Sequence, residues 1–217
     1  MPKAPSETRR GPFITFEGGD GVGKSTQIGR LADSLRKAGH DVLTTREPGG
    51  SPGAEMIRAL LVQGAADRWS PLSEALLVFA ARADHLERVI NPARARGAVV
   101  LCDRFTDSTM AYQGIAGALG GDVVSHLADL VVGDNGPSLT IILDAPSSHA
   151  LSRAEERGGD IRFESKGEAY QERVRQAFLT IAASEPQRCA LVDGSVSVDK
   201  VSAHIAALVR ERLGLGV

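Results

Sequence analysis

The chain has no excess of basic charge. Its 25 Lys and Arg stand against 27 Asp and Glu, a net charge of −2. A dedicated nucleic-acid binder needs a broad basic field, so no nucleic-acid partner is expected. Cysteine is nearly absent. Cys102 and Cys189 sit in separate apolar runs with no CxxC or metal-ligand spacing, and they read as buried reduced thiols. His85, His126, His149 and His204 show no metal-ligand spacing either. No apolar run is long enough to span a bilayer and no signal peptide is visible, so the expectation is a cytoplasmic protein with no membrane partner. Internal repeats and low-complexity tracts are missing too.

What is present fits one α/β domain of 217 residues, with 42% apolar residues to build a core. Residues 1–11 hold almost no apolar anchor and read as a mobile tail. From residue 12 to 217, short apolar runs alternate with helical patterns. Strands are expected at 12–17, 41–46, 98–102, 139–143 and 189–192. Helices are expected at 24–38, from the Pro/Gly loop 47–53 to about 62, from Pro71 to about 90, and at 198–213. The helix after Pro71 carries an apolar stripe of Leu72, Leu76, Phe79, Ala83, Leu86 and Ile90. This alternation predicts a doubly wound, five-stranded parallel sheet with helices on both faces. Ligands in such folds bind beyond the carboxyl ends of the strands.

The motifs fall there. Gly18, Gly19, Asp20, Gly21, Val22, Gly23, Lys24 and Ser25 match GxxxxGK(S/T) in full, after a strand and before a helix that continues with Thr26. Glycines let backbone N–H groups converge on phosphate oxygens, and the helix N-terminus favours negative charge. Lys24 reaches the β/γ-phosphates and the Ser25 hydroxyl can ligate Mg²⁺. The fold is therefore of the P-loop NTPase type, with ATP as the expected phosphoryl donor. Asp103 ends a buried strand beside this loop and is the first candidate for the metal-side carboxylate. Asp144, ending the next strand, is its rival.

A P-loop alone does not separate a kinase from a switch. A guanine-reading NKxD sequence is absent. Arg46, Arg82 and Arg104 instead converge on one rim, where arginine forks suit an anionic acceptor. An acceptor phosphate is largely dianionic near neutral pH and needs no general base. A deoxynucleoside kinase would need a carboxylate base beside a neutral hydroxyl. A kinase for another nucleoside monophosphate differs in acceptor preference, and a nucleotide switch would hydrolyse slowly without any acceptor.

The segments FEGGDGVGKST (Phe16 to Thr26), TREPGG (Thr45 to Gly50), FAARADHLERVI (Phe79 to Ile90), CDRFTDSTMAYQG (Cys102 to Gly114) and PSLTIILD (Pro137 to Asp144) together resemble the bacterial thymidylate kinases in order and spacing. The resemblance runs from about Phe13 to Leu213. It implies ATP-dependent phosphorylation of dTMP by a homodimer. Asp20 matches the acid on the sugar 3′-hydroxyl, and Arg46 and Arg104 match the arginines on the dTMP phosphate. Arg82 matches the arginine on a thymine carbonyl. Ser108, Thr109 and Gln113 fall in the stretch lining base and sugar, and Tyr112 matches the aromatic that crowds the 2′ position. The family stacks a Phe on the base four residues before that arginine, and here Val78 holds the position. Phe79 is one residue later, about 60° from Arg82 around a helix against about 40° for Val78. Phe79 is thus open to a stacking role and to a core role.

Residues 152–165 carry Arg153, Arg157 and Arg162 around a Gly158–Gly159 pair, and read as a mobile lid bringing charge over the phosphates. The P-loop itself has no arginine. By the resemblance this is the type with its catalytic arginine on the lid. Arg153 matches the residue packing on adenine, and Arg157 and Arg162 are alternatives for the transferring phosphate.

Overall fold

The computed structural model describes residues 10–65, 67–117, 119–146 and 167–217. The lid with Arg153, Arg157 and Arg162 lies outside the described residues.

Five strands form one parallel sheet in the order β2-β3-β1-β4-β5. They are β1 (Phe13–Glu17), β2 (Val42–Arg46), β3 (Val99–Asp103), β4 (Leu139–Asp144) and β5 (Cys189–Asp193). The helices are α1 (Lys24–Lys37), α2 (Pro52–Val62), α3 (Pro71–His85), α4 (Asn91–Ala95), α5 (Thr106–Thr109), α6 (Gly121–Val131), α7 (Glu168–Ser184) and α8 (Val198–Leu213). The central strand β1 is buried along its whole length between β3 and β4. Its side chains alternate with period two, as a pleated strand requires. Ile14 and Phe16 face a layer with Leu31 and Leu35 of α1 and Ile205 and Val209 of α8. Phe13 faces the opposite layer with Ile90, Val100, Cys102 and Phe105. A satellite core gathers Tyr112, Tyr170, Val174 and Phe178 against Ile142. Each fully buried apolar side chain contributes roughly 1.5–3 kcal/mol, so both faces of the sheet need their helices.

Helix starts follow local chemistry. Ser51 and Ser70 cap α2 and α3 through their hydroxyls, each followed by a proline in the first turn. The end of α3 does not continue as a plain α-helix. Residues Leu86–Ile90 form a wider turn in which the Asn91 N–H reaches the Leu86 carbonyl, and α4 follows directly. A second wide turn, Met110–Ile115, extends α5, with the Ala116 N–H on the Ala111 carbonyl.

The apolar stripe after Pro71 is only partly buried. Phe79, Leu86 and Ile90 are inside, but Leu72 and Leu76 are about half exposed, at 47% and 48%. The face that α3 buries is Glu74, Ala75, Val78, Phe79, Ala81, Arg82 and His85, polar and apolar side chains together. Gly11, expected in the tail, is anchored. Its N–H donates to the Arg94 carbonyl and its own carbonyl accepts from Arg94 Nε.

All five strands end at the same edge on a charged residue: Glu17, Arg46, Asp103, Asp144 and Asp193. Arg46 is registered beside Asp103, and Asp103 beside Phe16. The chemistry therefore collects at the carboxyl edge, where doubly wound sheets place their ligands.

Candidate active site

A cleft of about 310 Å³ opens over this edge. Its walls include Asp20 from the β1–α1 turn, Lys24 and Ser25 from the start of α1, and Arg46 from the end of β2. They also include Val78 and Arg82 from α3, Asp103 and Arg104 from the end of β3, and Ser108, Thr109, Tyr112 and Gln113.

The β1–α1 turn has the backbone a phosphate cradle requires. Gly18, Gly21 and Gly23 all have positive φ, at 122°, 77° and 102°. A Cβ on Gly18 would lie 2.2 Å from the Leu143 carbonyl oxygen. Lys24 Nζ folds back onto the carbonyls of Gly18 (3.1 Å) and Gly19 (2.7 Å). Burial and the nearby Arg104 lower its pKa to about 8, against the opposing pull of Asp103, Asp20 and Glu17. Ser25 Oγ donates to Asp103 Oδ2 at 3.0 Å. Asp103 Oδ1 is buried and has no partner among the described residues. A hydroxyl and an orphaned carboxylate oxygen beside a phosphate cradle are the donor set that suits Mg²⁺. The rival, Asp144, is held instead by a two-pronged ion pair with Arg175, at 2.7 and 2.9 Å.

Arg104 is the hub of the site. It is the one non-glycine residue with positive φ among the described residues, at 67°. Its Nη1 donates to the Gly18 carbonyl (3.1 Å) and Ser108 Oγ (3.0 Å). Its Nη2 donates to Asp20 Oδ1 (2.6 Å) and the Tyr112 hydroxyl (3.3 Å). Burial pushes the Asp20 carboxyl up, but Arg104 and Lys24 outweigh it and hold it at about 2. Burial and then Asp20 raise the Tyr112 phenol against the opposing Arg104, so it stays protonated and donates to Asp20 Oδ2 at 3.1 Å. Arg46 is more open and grips both oxygens of Glu55 at 3.1 Å.

Arg82 is almost fully buried, at 2%. Its guanidinium lies between the rings of Phe79 and Phe105, at 4.7 and 4.9 Å. Phe79 is inside the protein beneath Arg82 and is not part of the cleft wall, whereas Val78 is. The register on α3 accounts for this, since the residue four before Arg82 shares its face. Arg82 Nη2 donates to Thr109 Oγ1 at 3.0 Å. Gln113 donates to Glu74 Oε1 at 2.9 Å.

Sequence reasoning missed Glu17, Glu47 and Glu74. Glu47 accepts from Arg82 Nε at 2.7 Å and is nearly inaccessible. Glu17 is fully buried and accepts from the Phe105 N–H (2.7 Å) and Ser108 Oγ (2.5 Å). Glu17 lies within the FEGG segment and Glu47 within TREPGG, but nothing local marks them as buried. Burial and the neighbouring Asp107 raise the Glu17 carboxyl to about 7, despite Ser108, Arg104 and the Phe105 N–H. The sign of its effect on stability follows. Below the ordinary value of 4.5 both folded and unfolded chains are protonated. Between 4.5 and about 7 only the folded chain keeps the proton, so stability falls as pH rises and stays lowered above 7. Glu17→Gln should remove this fall. Thermal melts should show the variant gaining on the parent from pH 5 to pH 8, and a constant gap between them would contradict the assignment.

A phosphate cradle, a strand-end carboxylate on the cradle's hydroxyl and an arginine-rimmed acceptor cleft share one edge of a parallel sheet. That combination defines a P-loop phosphotransferase with an anionic acceptor. Residues 16–205 match the family model described as thymidylate kinase. The thymidylate kinase of Caulobacter vibrioides is 60% identical over 206 residues, spanning 95% of this chain and 99% of that protein. That of Bradyrhizobium sp. is 50% identical over 207 residues, spanning 94% and 92%. The crystal structure of the Ehrlichia chaffeensis thymidylate kinase superposes with a TM-score of 0.73 at 33% identity, covering 93% of this chain and 99% of that one. The chain belongs to the thymidylate kinase family.

Proposed function

We propose a division of labour among the residues of this cleft for the family's reaction, transfer of the γ-phosphoryl group of ATP to dTMP to give dTDP. The backbone from Gly18 to Thr26 cradles the ATP phosphates, and Lys24 leaves its loop carbonyls to meet them. Ser25 and Asp103 would hold Mg²⁺, which when bound neutralises charge on the phosphates. Arg46 and Arg104 clamp the acceptor phosphate, releasing Glu55 and Asp20 as they do so. Asp20 meets the sugar 3′-hydroxyl, and Tyr112 closes the 2′ position. Arg82, Ser108, Thr109 and Gln113 address the base, with Phe79 backing Arg82 and Val78 forming the wall. Arg153 covers the adenine, and Arg157 or Arg162 reaches the transferring phosphate. Catalysis then rests on in-line positioning and fixed positive charge, since a phosphate dianion needs no base to attack.

The observation that carries this reading is the free Nη1 of Arg82. It is buried and has no partner among the described residues, in the wall of the same cleft as the phosphate cradle. The test is ADP formation with ATP and Mg²⁺, first alone and then with dTMP, dUMP, dCMP, UMP or AMP. dTMP should stimulate most, dUMP less, and the others little. Stimulation by another monophosphate would overturn the acceptor assignment.

A homodimer is part of the same proposal. Leu72 and Leu76 of α3, Met56 and Leu60 of α2 and Leu130 of α6 are exposed on neighbouring helices. α6 buries only Val124 although apolar residues recur along it. Such a surface suits a second copy of the chain. Leu76→Glu should shift the protein to the monomer mass in sedimentation. A dimer that persists unchanged would place the contact elsewhere. A cytoplasmic location is supported by two free, buried cysteines, and no helix among the described residues is long and apolar enough to cross a membrane.

A further inference from the structure

Behind Arg82 runs a buried chain of polar contacts that no role above uses. Thr45 is in β2, Glu47 directly follows that strand, and His85 is the last residue of α3. His85 has no solvent exposure and is not part of the cleft wall. Its Nδ1 lies 3.1 Å from Glu47 Oε1, and its Nε2 lies 2.7 Å from Thr45 Oγ1. The other Glu47 oxygen, Oε2, takes the Nε of Arg82 at 2.7 Å.

The donors and acceptors sort themselves. A carboxylate only accepts, so the proton of this contact sits on His85 Nδ1. Nε2 faces the Thr45 hydroxyl, which can donate to it or accept from it. Glu47 is thereby held from both sides, by the imidazole and by the guanidinium. The backbone packs closely against His85 and Thr45. Gly50 has φ of 90°, and a Cβ there would lie 2.3 Å from His85 Nε2 and 2.6 Å from Thr45 Oγ1. Arg82 in turn has its plane fixed between Phe79 and Phe105 and its rotation fixed by Glu47 and Thr109. One nitrogen, Nη1, is left over.

We infer that Thr45, His85 and Glu47 form a positioning relay. It aims Arg82 Nη1 as an obligate donor, and so sets the preference for a pyrimidine presenting a carbonyl over one presenting an amine at that point. A guanidinium has donors only. A carbonyl completes it, whereas an amine leaves two donors facing each other and a buried N–H unpaired. If His85 is removed, Glu47 Oε1 loses its partner and the carboxylate is free to turn. The charge of Arg82 survives but its aim does not. The relay also starts one residue from Arg46, so the loop that clamps the acceptor phosphate is the loop that holds the base reader.

This inference rests on the reading of Arg82 as the base-facing residue, and the test separates the two. Steady-state kinetics with dTMP and dCMP would be measured for the parent, His85→Leu, His85→Asn and Arg82→Gln. His85→Leu fills the space without a donor, and should raise KM for dTMP and cut the dTMP-over-dCMP preference by roughly tenfold each. Its kcat at saturating dTMP should stay within about threefold. His85→Asn puts an amide N–H near the Nδ1 position and should restore most of both. Parent-like KM and preference in His85→Leu would overturn the relay, as would His85→Asn being as impaired as His85→Leu, which marks mere space filling. Should His85→Leu fail to fold, Thr45→Val decides instead: reduced preference supports the relay and unchanged preference overturns it. If Arg82→Gln keeps the preference, the base-reading role of Arg82 itself fails. If Arg82→Gln loses the preference while the His85 variants keep it, only the relay fails.

Discussion

Arg104→Lys is expected to lower kcat/KM for dTMP by about 10³-fold, although it preserves the charge. Lysine offers one ammonium where arginine offers a planar fork. Here the fork spans four partners at once, Gly18, Ser108, Asp20 and Tyr112. It also starts from a backbone with φ of 67°, a conformation that is strained for a side chain of this size. Strain of this kind persists only where the surroundings over-determine it. The surroundings here are the Arg104 N–H on the Phe16 carbonyl, and Glu17 holding Phe105 and Ser108 on the far side. A lysine could reach Asp20 but could not at the same time hold Ser108 and, in the role proposed for Arg104, the acceptor phosphate. Steady-state kinetics over a dTMP range checks this. A variant within about threefold of the parent would show that the fork serves loop packing alone.

Gly18→Ala should be the most damaging single-atom addition in the site. The new Cβ would sit 2.2 Å from the Leu143 carbonyl oxygen, an atom of the central sheet that cannot turn aside, at a φ of 122°. Strain of about 3 kcal/mol would lower Tm by roughly 6–12 °C in a chain of this size. ATP affinity should fall at least about 100-fold, because displaced N–H groups no longer converge on the phosphates. Calorimetry with ATP in the presence of Mg²⁺, together with a thermal melt, would read both effects. Near-parent affinity would mean that the loop relocates its β1 anchor without cost.

The contrast between these residues and the unforeseen ones explains what the sequence could reveal. The phosphate cradle is contiguous, and its glycines, lysine and serine act through local backbone geometry, so the string itself carries the site. The strands are short apolar runs bounded by turns, and all five appear where the pattern places them. The strand-end acid Asp103 could be favoured over Asp144, but only the structure shows that Arg175 already occupies Asp144. Glu17 and Glu47 were invisible for a different reason. Their partners Ser108 and His85 lie 91 and 38 residues away, and an exposed carboxylate looks the same in a sequence as a buried one. The apolar stripe after Pro71 does not by itself mark the buried face of its helix, because periodicity does not say what a face packs against. That helix buries a mixed face carrying Glu74, Arg82 and His85 and leaves Leu72 and Leu76 about half exposed. Phe79 is open to two roles in the sequence; in the structure it is buried, with the Arg82 guanidinium over its ring.

The two wide turns, at Leu86–Ile90 and Met110–Ile115, also constrain the length of the chain. Each closes with one residue more than an α-helical turn would use. Deleting that residue would let the turn close as an ordinary α-helix, so the chain beyond keeps nearly its direction while the side chains inside the turn change the face they present. In the second turn that would carry Gln113 off Glu74 and Tyr112 away from Asp20. Surface loops in general tolerate gained or lost residues, but these two stretches are counted segments. A library of single-residue deletions would find them intolerant even at positions where most substitutions are accepted.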